Sequence, residues 1–207
     1  MSNWKEELKE SVKPSTDWSK YNLSEMIDQA KKAHACGGDI EKLSKYSSIE
    51  EALKSKRASY WCCWYVVNIL KSRWEEAEAI IMKDSWSSYA YASQVLKGRW
   101  KEAEPIIMKN AEYSYWYAKN ILKGRWKEAE SVIMKESWLA YLYARDVLKG
   151  RWQEAESIIM KDALYAYAYA TQVIKGRWLE AEPFIMKNSY CKVDYENYFN
   201  CKLGEES

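Results

Sequence analysis

Trp74, Trp100, Trp126, Trp152 and Trp178 stand at steps of 26 residues without a slip. Self-similarity at one fixed period confines a chain to repeat architectures before any other property is considered. Around each Trp the sequence reads Lys-Ser-Arg-Trp-Glu-Glu-Ala-Glu over 71–78, then Lys-Gly-Arg-Trp-x-Glu-Ala-Glu over 97–104, 123–130, 149–156 and 175–182. Each copy closes on Ile-Met-Lys. Only 7 Gly and 3 Pro occur in 207 residues, which favours helices over a turn-rich sheet as the repeating unit.

The landmarks are helix punctuation. Gly98, Gly124, Gly150 and Gly176 each follow an apolar-periodic run and a Lys, where a left-handed residue and a cation suit a helix C-terminus. A helix A therefore ends there. The Glu-x-Glu pair then falls in the first turn of a helix B, where carboxylates meet the positive end of the helix dipole, and Lys83, Lys109, Lys135, Lys161 and Lys187 fall in its last turn. Asp84, Asn110, Asp162 and Asn188 come next as N-caps of the following helix A, with Glu136 the weaker residue at the equivalent place.

Each unit is thus two antiparallel helices of roughly ten to twelve residues, too short to persist alone in water, so stacking has to supply their stability. Ala92, Val95 and Leu96 and their counterparts form the expected buried stripe of helix A, and Trp100, Ala103 and Ile107 that of helix B. Pro105 and Pro183 sit early in helix B and are expected to kink or shorten it in those copies. The fold predicted is an all-α solenoid of about five tandem two-helix repeats over 58–187. A helical N-terminal cap over 1–57 and a capping helix and tail over 188–207 close it. Within the first cap, Trp4 to Val12 and Ser24 to Ala35 read as helices, Gly37-Gly38 as a break, and Ser48-x-x-Glu51 as a capping box.

Gly-Arg-Trp-x-Glu-Ala-Glu resembles the turn and second-helix start of the tetratricopeptide repeat, through Gly98, Trp100, Ala103 and Ile107, with Ala92 in place of that family's small helix-A residue. The resemblance spans roughly residues 58 to 190. It departs in period, since that family's unit has about 34 residues, and in lacking the late Ala and terminal Pro. The chain therefore looks like a shortened relative or an analogue. Short Lys-Gly-Arg-Trp repeats also look like units found in large phage and giant-virus genomes. By itself that resemblance implies no activity; for a chain that binds a protein it implies a viral factor that occupies or blocks a host protein such as a defence component.

Catalytic chemistry finds little to work with. There is no Gly-rich phosphate loop, serine elbow or Cys/His pair. His34 is the single histidine, with no further metal ligands beside it. Glu102 and Glu104 diverge by about 200 degrees on a helix and cannot share a substrate. Arg99 lies three residues before Glu102, and that spacing recurs as a ladder of surface ion pairs. Neither cofactor nor metal is expected, and the chain is read as no enzyme. Lys and Arg total 32 against 30 Asp and Glu, so a formal charge of +2 brings no field to draw in nucleic acid or an anionic membrane. No stretch approaches the ~20 apolar residues of a membrane span. Cys36, Cys62, Cys63, Cys191 and Cys201 show no C-x-x-C spacing and leave one unpaired, which reads as reduced thiols in the cytoplasm.

What remains informative is variation within the repeat, because positions that hold the stack recur while positions that read a partner differ. Trp86, Tyr89 and Ser93 become Glu112, Tyr115 and Lys119, then Trp138, Tyr141 and Arg145, then Leu164, Tyr167 and Thr171, along one face of helix A. In the tetratricopeptide family the matching face lines a groove that holds peptides. A second row, Ala90, Trp116, Leu142 and Ala168, alternates small with large as interlocking neighbours do. Tyr91, Tyr117, Tyr143 and Tyr169 recur and read as structural. The expected function is binding of a protein or peptide through Trp86, Tyr89, Tyr115, Trp138, Tyr141 and Tyr167 as anchors, with Lys119 and Arg145 for acidic groups. The alternative is a sponge for a nucleotide or single-stranded nucleic acid, with bases stacked on the aromatics and phosphates on the Lys and Arg residues.

Overall fold

The structure is a computed structural model that describes residues 17–204, and the helix expected from Trp4 to Val12 lies outside the described residues. The described residues are helices and short connections with no strand. The chain divides into two compact units, 1–106 and 107–207.

In the first unit α1 (Leu23–Lys32) and α2 (Gly37–Leu43) pack on each other. The Gly37-Gly38 pair does not break the chain as expected; it opens α2, and the break lies just before it, where His34 takes a φ of 59°. Glycine at a helix start costs less than in its interior, so the pair is tolerated there. A one-turn α3 (Ile49–Ala52) follows, and Ser48 Oγ accepts the Glu51 N–H at 3.3 Å. The Glu51 carboxylate answers on the Ser47 N–H at 2.8 Å, so the reciprocal half of the box shifts by one residue. Then come α4 (Ala58–Tyr65), α5 (Glu75–Ile81), α6 (Ser85–Tyr91) and α7 (Glu104–Ile107), the last reaching the division between the units. The second unit holds α8 (Ala111–Tyr117), α9 (Lys127–Ile133), α10 (Ser137–Tyr143), α11 (Gln153–Ile159), α12 (Ala163–Tyr169), α13 (Glu182–Ile185) and α14 (Ser189–Phe199). Successive helices pack in pairs within each unit.

The helices A that follow Asp84, Asn110 and Asp162 begin where their caps place them. Asp84 accepts the Ser87 N–H at 2.8 Å, Asn110 that of Tyr113 at 3.1 Å and Asp162 that of Leu164 at 2.9 Å. Glu136 makes no such bond, as its extra methylene leads one to expect. The last five residues of each helix A widen into a π-helical turn, Ala92–Leu96 after α6 and Ala144–Leu148 after α10 among them. There the Ala92 carbonyl accepts both the Lys97 N–H and the Gly98 N–H.

The left-handed residue at this corner is the lysine, not the glycine expected from sequence. Lys71, Lys97, Lys123, Lys149 and Lys175 have φ of 51° to 57°, while Gly204 is the only glycine with positive φ among the described residues. A Cβ built on Gly98 would lie 3.7 Å from the Leu96 carbonyl, ordinary contact distance, and Ser72 occupies the same place in the first copy. The wider turn moves the reversal of the chain one residue forward, which is why a cap rule calibrated on α-helices misplaces it.

Helix B is shorter than expected, at seven residues in α5, α9 and α11. Where Pro105 and Pro183 remove an N–H, its first turn tightens to a 3-10 turn, Lys101–Ala103 and Leu179–Ala181, before four α-helical residues follow. Trp100, Ala103 and Ile107 are buried as predicted, and so is Ala92. Val95 and Leu96 are only half-buried, because they lie in the last turn beside the corner where the chain turns out.

Within each unit, successive copies are joined by one repeated polar lock. Tyr91 Oη accepts the Trp74 N–H at 3.0 Å and donates to Glu78 Oε1 at 3.0 Å. Arg73 grips the same carboxylate through two nitrogens at 2.7 and 3.1 Å. In the second unit Tyr143 does the same for Trp126 and Glu130, Tyr169 for Trp152 and Glu156, and Tyr195 for Trp178 and Glu182. Arg99 accordingly pairs with Glu104 at 2.6 Å, five residues on, and not with Glu102. The arginine precedes the helix in extended chain, so the i,i+3 rule of a helix surface does not govern it.

The ring of each tyrosine meets the Trp of its own copy. Centroids lie 5.0 Å apart for Tyr91–Trp100, Tyr117–Trp126 and Tyr143–Trp152, and 5.1 Å for Tyr169–Trp178. At the C-terminal end Phe199 takes the place of that Trp, 4.7 Å from the Tyr195 ring. Tyr91, Tyr143, Tyr169 and Tyr195 are fully buried, and burial pushes the hydroxyls of Tyr143 and Tyr195 up to about 12.

Candidate functional site

Because the lock engages the recurring side chains, the variable helix-A face holds the residues free to differ. Its charged part lies in the second unit, on the π-helical ends of α8 and α10. Asp146 is the centre. Its Oδ2 accepts from Tyr115 Oη at 2.6 Å, from Lys119 Nζ at 2.7 Å and from Arg145 at 3.1 Å, and its Oδ1 accepts from Arg145 Nε at 2.6 Å. The other arm of Arg145 donates to Tyr141 Oη at 2.8 Å, and Tyr141 donates to Gln172 Oε1 at 2.8 Å.

Two cations on one carboxylate leave a surplus positive charge. Hydrogen bonds from Arg145 hold the Asp146 carboxyl well below the usual carboxylate range, against the opposing effect of burial. The bond to Asp146 raises the Lys119 ammonium, so both cations are charged at any physiological pH. Lys119 also lies over the rings of Trp116, at 5.2 Å, and Tyr115, at 5.5 Å. Asp146 itself is 15% exposed, while Lys119 and Arg145 remain half-exposed.

Four of the sequence-predicted site residues, Tyr115, Lys119, Tyr141 and Arg145, therefore meet in one cluster. Their roles divide. Tyr115 is 1% and Tyr141 5% exposed, so their rings are packing and their hydroxyls brace the cations. Lys119 and Arg145 keep the surface. Trp138 is half-buried on the same helix as Tyr141. Tyr167 is half-buried with its ring 6.5 Å from that of Tyr195. In the first unit Trp86 is half-buried and stacked on Tyr60 at 5.4 Å, and Tyr89 is half-buried.

Two participants escaped sequence reasoning. Asp146 and Gln172 belong to a row that otherwise reads Asn68, Gln94 and Asn120. The signal was a single acid among amides, directly after Arg145. The row two turns earlier also exposes apolar surface: Leu164 is 55% and Tyr190 84% exposed at the positions equivalent to Trp138. Trp116, of the row read as packing, is half-buried beneath Lys119.

His34 is exposed, and no group of three or more potential metal ligands occurs among the described residues. The five cysteines are free thiols, and burial pushes Cys62 and Cys63 up to about 12. No helix among the described residues is long and apolar enough to cross a membrane. Comparison with protein-family models, with curated proteins and with solved structures finds no match to this chain.

Proposed function

We propose that this chain is a non-enzymatic binding solenoid that holds a protein or peptide partner on its helix-A face. Lys119 and Arg145 receive an acidic group of the partner, and Trp138, Leu164 and Tyr190 supply apolar contact. The observation that carries this reading is the Asp146 cluster: a surplus cation, fixed by a carboxylate and the hydroxyls of two buried tyrosines, on a series of helices A that also exposes the apolar Leu164 and Tyr190. Fixed cations recognise a carboxylate at little entropic cost, and Trp, Tyr and Arg dominate binding hot spots. Occupancy is the mechanism, which suits a factor that sequesters or blocks its partner.

The nucleic-acid reading is the weaker of the two. It needs the repeated Lys-Gly-Arg corners as phosphate ligands, and Arg125, Arg151 and Arg177 are each held by a glutamate in two hydrogen bonds.

The test is affinity purification of tagged protein from the cells in which it acts, beside a Lys119→Ala/Trp138→Ala variant checked for its fold by circular dichroism. A protein retained by the wild type and lost by the variant supports the site. Equal retention by both overturns it. Capture of nucleic acid alone, falling steeply with salt, turns the reading to the alternative.

A further inference from the structure

A stack of helix pairs stays apart from other molecules when its end helices turn a polar face outward. The last helix does not. Tyr190, Val193, Asp194, Asn197 and Tyr198 fall on one side of α14 at helical spacing, and all five are exposed. Tyr190 is 84%, Tyr198 59% and Val193 53% exposed. On earlier helices A of the second unit the same side carries the next helix A. Tyr115 reaches Asp146 and Tyr141 reaches Gln172, each 31 residues on, and the Tyr167 ring meets that of Tyr195. Tyr115 and Tyr141, at the position of Val193, are accordingly 1% and 5% exposed. On α14 this stacking surface has no further helix upon it among the described residues.

The tail leaves the face open. It folds back toward the preceding helix B: Leu203 is buried, its N–H donates to Glu196 Oε1 at 2.8 Å, and a Cβ on Gly204 would lie 3.5 Å from Met186 Sδ. In the first unit the first helix A is covered instead, since Trp61 on α4 meets Tyr46 at 5.9 Å and the Tyr65 hydroxyl donates to Gln29 on α1. One open face per chain cannot build a fibre. It can meet its own equal about a two-fold axis, the commonest closed symmetry.

We infer that the outward face of α14 is the interface of a weak homodimer, with the two helices antiparallel about a two-fold axis near their midpoint. This arrangement gathers both Val193 side chains at the centre and sets the Tyr190 hydroxyl toward Asn197 of the second copy, whose amide oxygen accepts. It also brings the two Asp194 carboxylates near each other, which opposes pairing. The exposed parts of Tyr190, Tyr198 and Val193 supply about 300–400 Å² per chain, against about 800 Å² per partner in a stable complex. Half-dimerisation is therefore expected near about 0.1 mM. Tyr190 also belongs to the proposed partner face, whereas Val193, Asp194 and Tyr198 belong to the pair alone.

The test is sedimentation equilibrium of the whole chain from about 10 µM to about 1 mM. The average mass is expected to rise from that of the 24.5 kDa monomer toward twice that value and no further. Val193→Asp, which sets a charge at the centre, is expected to weaken pairing at least about tenfold. Tyr198→Ser is expected to weaken it at least about threefold, and Asp194→Asn to tighten it at least about threefold. Leu179→Ser, at a residue exposed outside α14, is expected to change nothing. A chain still monomeric at about 1 mM, or a mass that passes the dimer, overturns the proposal. So does pairing that folded Val193→Asp or Tyr198→Ser leaves intact, that Asp194→Asn fails to tighten, or that Leu179→Ser abolishes. None of these outcomes touches the Asp146 cluster, so the proposed function stands or falls separately.

Discussion

The hydroxyl of Tyr195 accepts the backbone N–H of Trp178 at 2.7 Å. Tyr143 and Tyr169 make the same bond to Trp126 and Trp152, at 2.7 and 2.6 Å. The last helix therefore closes its copy with the same chemistry that joins the copies before it, and Phe199 ends the series by covering the ring.

Tyr143→Phe isolates the polar half of the lock. It keeps the ring on Trp152 but leaves the Trp126 N–H and one Glu130 oxygen without that partner. The expected loss is about 1–3 kcal/mol in urea unfolding. Tyr143→Ala, which also empties a buried site, should cost about 3–5 kcal/mol. A Phe variant as stable as the wild type would mean that the hydroxyl is dispensable.

The same hydroxyls set an alkaline limit. Tyr143 and Tyr195 titrate at about 12 in the fold, against about 10 in an unfolded chain. Between those values the unfolded chain has released protons that the folded one still holds, so stability falls as pH rises. Thermal unfolding should be insensitive to these groups below about pH 9 and should fall from about pH 10 toward 12, with Tyr195→Phe blunting the fall.

The corner lysines make an opposite test. Lys149 has a φ of 54°, a region that suits glycine. Lys149→Gly should stabilise the chain by about 0.5–1 kcal/mol. Gly98→Ser, meeting only ordinary contacts, should lie within about 0.5 kcal/mol of the wild type in the same measurement. A large loss for Gly98→Ser would return the conformational role to the glycine.

Asp146→Asn removes the charge that holds Lys119 and Arg145 together. Two cations then face each other across a neutral amide, and the expected cost is about 1–3 kcal/mol, relieved by added salt. The wild-type carboxyl titrates below the usual range, so its contribution is present above about pH 4 and is lost only as pH falls well below that value. A variant with unchanged stability and salt response would show that the cluster does not hold the two helices.

The sequence was most informative where the governing chemistry is local. Asp84 and Asn110 cap their helices because an N-cap depends on the next three residues alone. Trp100, Ala103 and Ile107 are buried because a period of three and four survives in helix B. Where the chain leaves the ideal helix, spacing misleads: the Arg99 partner and the left-handed residue at the corner were each misplaced by rules that assume an α-turn. The candidate face shows a different limit. Periodicity puts Tyr115 and Tyr141 on one side of their helices, but burial depends on the neighbouring copy, which no single helix records. Asp146 was hidden for the same reason, since its partners Tyr115 and Lys119 are 31 and 27 residues away in the chain.

In the second unit each copy offers one Trp N–H and one Arg-held carboxylate on one side and one tyrosine hydroxyl on the other. Any copy can therefore follow any other. Length becomes an inherited variable: a duplication or loss of 26 residues in register adds or removes one pair of helices while the last helix, Tyr195 with Phe199, still finds a Trp corner to grip. A lineage carrying such a chain can vary its surface in two ways, by substituting residues at positions such as 119 and 145, or by changing the number of copies.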